Sequence, residues 1–504
     1  MPTLISVPTL IRRFAPPSPD GRRKDLANRH IVAVDQQTLI AVPKRPRPLS
    51  GLDAGFLYLE AAGTPMHVGS VMLLQTPRRR RYDFFSAVMA LMRERLPEAA
   101  PLRRVLQDAP LELGHPHWIE APTVDLGRHI EKRKLAAPGS LAQLWRLVGE
   151  LHAEPLPRDR PLWQFVVIEG LDSGEVALYS KVHHALLDGQ GGIALAQVLL
   201  DAHPTKRGLG LAARADAPHK DKQPAKKSVG ARSPGFAKLV RDLPALLKAA
   251  TDAARGAGSL LGKLRDSVML APRTLFNAQV GAQRSYAVAS LPLAAVKRIA
   301  HHFDASLNDV VLTLCASTLR DYLFRRKALP SESLIAAMPI SLRASGDASV
   351  NNQVSMVQCA LRTDIADPVE RLAAIAAATG SLKRQVASVR GWIPTDFPGF
   401  AAPIWAPALS WLWGHGGVSE RLPSLANLVV SNVPGPPMTL FMAGAKVVHY
   451  YPVSIVTHGL GLNITVNSYA GWLEFGVIAG KEIAPKVATI AAGLDRALNA
   501  LTKK

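Results

Sequence analysis

The chain has 504 residues, 48% of them hydrophobic and 20% charged, with a formal net charge of +21 at pH 7. That length exceeds one ordinary core and predicts two domains. Two cysteines, Cys315 and Cys359, exclude a disulfide framework and a cysteine-based zinc site, and they fit a reducing, cytoplasmic compartment.

The positive excess lies in the first fifty residues, in Arg78 to Arg81, and between Lys206 and Arg265. No zinc finger, RRM-type aromatic motif or helix-turn-helix accompanies it, so no nucleic-acid partner is expected. An anionic membrane surface and a phosphate-bearing substrate both fit the charge. Pro2 and Pro8 break the first apolar run and Arg12-Arg13 follow it, which argues against a secretory signal. No run of about 20 apolar residues predicts a membrane span.

In chain order, residues 1–47 read as a Pro- and Arg-rich disordered basic arm. A first domain, 48–204, opens with a strand over Met66 to Leu74 and a helix over Phe84 to Leu96. A second helix, Ser140 to His152, places Leu141, Leu144, Trp145, Val148 and Leu151 near one face. Leu162 to Glu169 and Glu175 to His184 form a predicted hairpin, followed by a helix over Ile193 to Leu200. Residues 205–280 read as a basic linker in which Phe236, Leu239, Val240, Leu243 and Leu247 define an amphipathic helix. That helix suits docking on its own domain or a membrane surface. A second domain, 281–504, again mixes strands with helices: strands over Arg284 to Leu291, Leu334 to Ile340, Asn352 to Leu361, Leu428 to Asn432 and Leu462 to Ser468, and helices over Leu293 to His302 and from Ser306 to about Arg325. Phe397 to Gly417, with Trp405, Trp411 and Trp413, is apolar but interrupted by prolines, as in a buried or interfacial segment. The fold class is α/β in two domains of similar size.

Reactive side chains concentrate in Lys181 to Gly192, at a strand–helix junction. Alternation puts Val176, Leu178, Ser180, Val182 and His184 on one strand face and Ala177, Tyr179, Lys181 and His183 on the other. The two histidines therefore diverge, which disfavours a shared metal. No Gly-x-Ser-x-Gly nucleophile is present, and Gly256 to Lys263 fails the phosphate-loop spacing. What remains is general-base chemistry on an activated acyl donor, an assistance worth ~10²–10⁴-fold. Asp188 could orient the histidine or pair with an arginine, and Gly189, Gly191 and Gly192 permit close backbone approach.

His183-His-Ala-Leu-Leu-Asp-Gly189 resembles the His-His-x-x-x-Asp-Gly motif of coenzyme A-dependent acyltransferases and condensation domains. Pro48 to Leu57, Pro65 to Gly69, Arg160 to Trp163, Leu307 to Val310, Pro339 to Arg343, Ser431 to Pro436 and Leu462 to Tyr469 narrow the resemblance to the bacterial wax ester synthase/diacylglycerol acyltransferase family. It covers about residues 48 to 490. The resemblance implies two chloramphenicol-acetyltransferase-like domains joined by a helical linker, with a tunnel at their interface. It implies transfer of a long-chain acyl group from acyl-CoA to diacylglycerol or a long-chain alcohol, with His184 as base, no acyl-enzyme and no cofactor. His183, Asp188, Gly189, Asn308, Asp309 and Arg343 carry over as supporting positions, Arg343 as partner of Asp188. A peripheral place at the inner membrane or at lipid inclusions is expected. The remaining alternatives are a carrier-protein-dependent condensation enzyme and a non-enzymatic lipid-inclusion binding protein. Ala470 and Ala479-Gly480 depart from the acidic residues expected there.

Overall fold

The computed structural model describes residues 47–61, 63–79, 81–108, 114–187, 189–205, 269–341, 354–389 and 424–503. The basic arm, the linker helix and the Phe397–Gly417 segment lie outside these residues. The first half contains β1 (Arg47–Pro48), α1 (Gly51–Leu59), β2 (His67–Gln75), α2 (Phe84–Arg95), β3 (Arg104–Gln107), β4 (His117–Glu120), β5 (Ile130–Lys134), α3 (Leu141–Ala153), β6 (Trp163–Glu169), β7 (Val176–His183) and α4 (Gly189–Leu199). The second contains β8 (Arg284–Pro292), α5 (Leu293–His302), α6 (Leu307–Phe324), β9 (Ile335–Ser341), β10 (Val354–Ala360), α7 (Pro368–Val389), β11 (Leu428–Val433), β12 (Phe441–Met442), β13 (Ala445–Val453), β14 (Leu462–Tyr469), β15 (Trp472–Gly480) and α8 (Val487–Thr502).

Two six-stranded sheets organise these elements, in the orders β12-β13-β2-β7-β6-β5 and β10-β9-β11-β14-β15-β8, with a small β1-β4-β3 sheet beside them. The sheets do not divide where the sequence divides. β13 leaves the second half and pairs antiparallel along β2, from Lys446 opposite Gln75 to Val453 opposite Gly69. The strands β13 and β15 were not among the elements expected from the sequence. In β15 every residue after Trp472 is buried, so no period-two alternation marks it.

The first sheet is covered on both faces. Val71, Leu73, Ala177 and Tyr179 join one core with α3 and the second sheet, whereas Met72, Leu74, Leu178 and Val182 join another with Phe84, Val88 and Leu195. The expectation of one apolar face on β7 is thus corrected: both faces are buried, and Lys181 is enclosed with the rest. In α3, Ser140 and Gln143 form a reciprocal capping box, and Leu144, Val148 and Leu151 are buried, but Leu141 is exposed and leaves the expected face. Gly149 brings α3 against β8: a Cβ there would lie 2.7 Å from the Arg284 carbonyl oxygen, closer than packing allows. Among the described residues no helix is long and apolar enough to cross a membrane.

Candidate active site

β7 ends at His183, so His184 begins the turn instead of closing the strand. The histidines still separate. His183 is buried, its backbone N–H donating to the Leu162 carbonyl at 2.9 Å. Its Nδ1 accepts from the Ala185 N–H at 3.1 Å, which leaves the proton on Nε2 to donate to the Glu60 carboxylate at 3.1 Å. His183 is therefore a brace for the turn, tied to the end of α1.

His184 takes a different setting. Its backbone N–H donates to the Met66 carbonyl at 2.8 Å, and its half-buried ring stacks on Phe56 of α1, centroids 4.0 Å apart and planes 13° apart. α1 thus supplies both the stacking partner of one histidine and, through its C-cap Glu60, the hydrogen-bond partner of the other. Ser50 sets this helix by capping it through the Asp53 N–H at 3.1 Å. Neither Phe56, inside the Pro48–Leu57 block, nor Glu60 was given a role from the sequence. Their only signal is that they follow Pro48-Leu-Ser-Gly-Leu-Asp, a capped helix start, and nothing local points them at a motif more than a hundred residues away.

Behind the turn lies a buried polar layer. His67, opposite His183 in the β2–β7 register, donates from Nε2 to the His152 carbonyl at 2.6 Å. His152 Nδ1 accepts from the Tyr179 hydroxyl at 2.8 Å, and its Nε2 donates to the Ser454 carbonyl at 3.0 Å. Burial, reinforced by Lys181 and Arg284, pulls the His152 imidazole down to about 3. Burial likewise lowers His67, helped by His152 and Lys181, so both rings are neutral. Lys181 Nζ donates to the Leu151 and Glu154 carbonyls at 2.8 and 2.9 Å, closing the C-terminus of α3, and burial lowers it to about 8. None of these residues was singled out as functional in the sequence.

The other expected positions divide clearly. Asp309 is the capping-box partner of Ser306 at the start of α6, and its second oxygen accepts from Thr379 at 2.6 Å. Its place is the helix cap and the tie to α7. Asn308 is half-buried, and its Oδ1 accepts from the Asn432 amide at 3.4 Å, which joins the Leu307–Val310 block to the Ser431–Pro436 block. Gly435 N–H donates to Ser468 Oγ at 3.0 Å, adding the Leu462–Tyr469 block. Trp163 is packing: its indole donates to the Leu102 carbonyl at 2.8 Å and its ring stacks on His129. Gly189 is the first residue of α4. Asp188 and Arg343, with their expected pairing, lie outside the described residues. Among the described residues no group of three or more His, Cys, Asp or Glu is placed to hold a metal.

Two mixed sheets with a double-histidine turn at the end of a central strand define a chloramphenicol-acetyltransferase-like acyltransferase fold. The first condensation domain of the calcium-dependent antibiotic synthetase shares it, with a TM-score of 0.54 at 15% identity over 91% of this chain and 96% of that one. Residues 49–311 match the wax ester synthase/diacylglycerol acyltransferase catalytic domain, and residues 350–502 match that family's C-terminal domain. The chain belongs to this family of acyltransferases. A putative diacylglycerol O-acyltransferase of Mycobacterium tuberculosis (strain CDC 1551 / Oshkosh) is 35% identical over 462 residues, 90% of this chain and 99% of its own. The wax ester synthase/diacylglycerol acyltransferase of Marinobacter aquaeolei VT8 superposes with a TM-score of 0.67 at 28% identity, over 90% of this chain and 98% of that one.

Proposed function

We propose that this acyltransferase moves a long-chain acyl group from its coenzyme A thioester to the hydroxyl of diacylglycerol or a long-chain alcohol, with His184 as general base. The observation that carries the assignment to His184 is the division of labour in the turn. His183 has both ring nitrogens committed to Ala185 and Glu60, whereas His184 presents a half-buried ring fixed by Phe56. In the reaction, His184 takes the proton from the acceptor hydroxyl as its oxygen attacks the thioester carbonyl. The tetrahedral intermediate collapses to the ester, and the departing thiolate takes the proton back as free coenzyme A. No enzyme-bound acyl group forms. By the family resemblance Asp188 and Arg343 would brace the turn and the acyl chain would occupy a tunnel between the lobes, while Asn308 and Asp309 tie together elements of the second lobe. The basic charge supports peripheral attachment to an anionic membrane or lipid-inclusion surface.

Coenzyme A release from palmitoyl-CoA, with diacylglycerol and hexadecanol offered separately, tests the activity. Absence of release with either acceptor would remove the reading, and a preference between them names the acceptor. His184→Ala lowers kcat by roughly 100-fold or more with an unchanged circular dichroism spectrum; half-maximal activity in that variant moves the base elsewhere.

A further inference from the structure

The arginine run from Arg78 to Arg81 plays no part in the chemistry above, yet part of it lines a cavity of about 520 Å³. That volume is within the range of small-molecule sites, roughly 300–1,000 Å³. The cavity lies between the loop leaving β2 and the β12–β13 hairpin. Arg78, Arg79 and Lys446 face it together with Gln75, Thr76 and Tyr82, and no acidic residue is in its lining. Its walls are fixed. The Tyr82 hydroxyl donates to the Ala443 carbonyl at 2.8 Å, and Asp201 and Phe441 exchange backbone hydrogen bonds at 2.8 Å in both directions. Lys446 stands directly opposite Gln75 in the sheet.

The carboxylates nearby are committed elsewhere. Asp83 caps α2 through the Ser86 N–H and pairs with Lys132 at 3.2 Å, and Asp201 is buried against Arg95 at 2.7 Å. Among the described residues, Arg78, Arg79 and Lys446 form no ion pair with a carboxylate. Two guanidinium groups and an ammonium without counter-charge, lining one cavity with the donors of Gln75 and Thr76, match a doubly charged oxyanion better than a single carboxylate. The Tyr82 and Phe441 walls add apolar surface for an organic portion. Gln75 and His67 are at opposite ends of β2, about 27 Å apart at 3.4 Å per residue, so this cavity is separate from the double-histidine turn.

We propose that this cavity binds a phosphate ester, held by Arg78, Arg79 and Lys446. A lipid headgroup and a soluble phosphate ester share that chemistry, and the experiment separates them. The full chain is titrated calorimetrically with inorganic phosphate and glycerol 3-phosphate, and floated with phosphatidylcholine vesicles with and without phosphatidic acid. The same is done for Arg79→Ala/Lys446→Ala and for a charge-matched control, Lys297→Ala/Arg298→Ala, on the exposed face of α5. All four side chains are exposed, so both variants melt as the wild type does. Affinity for at least one phosphate probe falls roughly tenfold or more in the cavity variant and stays unchanged in the control. Loss confined to phosphatidic acid vesicles assigns a lipid headgroup, and loss with the soluble probes assigns a free ester. Equal loss in both variants, no loss in the cavity variant, or no binding of any probe by the wild type overturns the proposal.

Discussion

Burial pushes the Glu60 carboxyl toward higher pKa, but hydrogen bonds from His183, from the Met66 N–H and from Arg158 outweigh it and hold the group down to about 2. A carboxyl depressed in the folded state contributes stability above its unfolded value, near 4.5, and loses it as pH falls toward 2. Glu60→Gln therefore costs ~1–3 kcal/mol at neutral pH through the lost charge-assisted hydrogen bonds, and urea denaturation shows the gap to wild type closing as pH falls from 4.5 toward 2. The same substitution loosens His183, so kcat falls with it; an unchanged kcat would separate the brace from catalysis. The histidine pair was legible from the sequence because it sits where a strand meets glycines, within one window of reading. Its support was not. Glu60 lies 123 residues from His183, and only the packing of α1 across the end of β7 joins them.

Local conformation decides the hairpins. Between β14 and β15, Tyr469 pairs with Trp472 across a two-residue turn in which Ala470 has φ 44° and Gly471 φ 91°. Both central residues are in the left-handed region, as a type I′ turn requires, and alanine pays for its Cβ there. Ala470→Asn raises stability by about 1 kcal/mol, seen as a higher Tm with unchanged turnover. The absence of an acidic side chain at this position, noticed in the sequence, thus concerns the turn: the position favours residues tolerant of positive φ. The helices were readable because their caps are local: Ser140 with Gln143 and Ser306 with Asp309 mark their starts within four residues. β15 was not, because a strand buried on both faces loses the alternation that identifies it; β13 was not, because a bulge between Val447 and His449 shifts its alternation and Pro452 interrupts the run.

At the scale of the whole molecule, one buried carboxylate ties the two sheets. Glu474 on β15 is fully buried, accepting from His449 of β13 at 2.8 Å and from Ser290 of β8 at 2.5 Å, with Tyr451 hydrogen-bonded to Ser290 at 2.8 Å. The hydrogen bond to Glu474 raises the His449 pKa against burial, and the Glu474 and Glu175 charges add to it. A histidine raised in the folded state contributes stability that is complete below its unfolded value, near 6.5, and disappears as pH rises through the folded value. His449→Ala accordingly lowers Tm more at pH 6 than at pH 9; an equal decrease at both would show that His449 acts by packing alone. Two α/β halves could be inferred from the order of strands and helices. Their interlocking could not, because it depends on which edge the later strands join.

That interlocking sets an order of events during synthesis. β2 emerges from the ribosome hundreds of residues before β13, and until Val453 is made one side of β2 has no strand beside it. The sheet that carries the double-histidine turn thus stays unfinished through most of translation, with an open edge able to recruit a strand from another nascent chain. A fragment ending at Pro204 should aggregate on expression, and supplying residues 269–504 in the same cell should return part of it to the soluble fraction. Recovery of the short fragment alone as a soluble monomer would show that the edge is protected by other means.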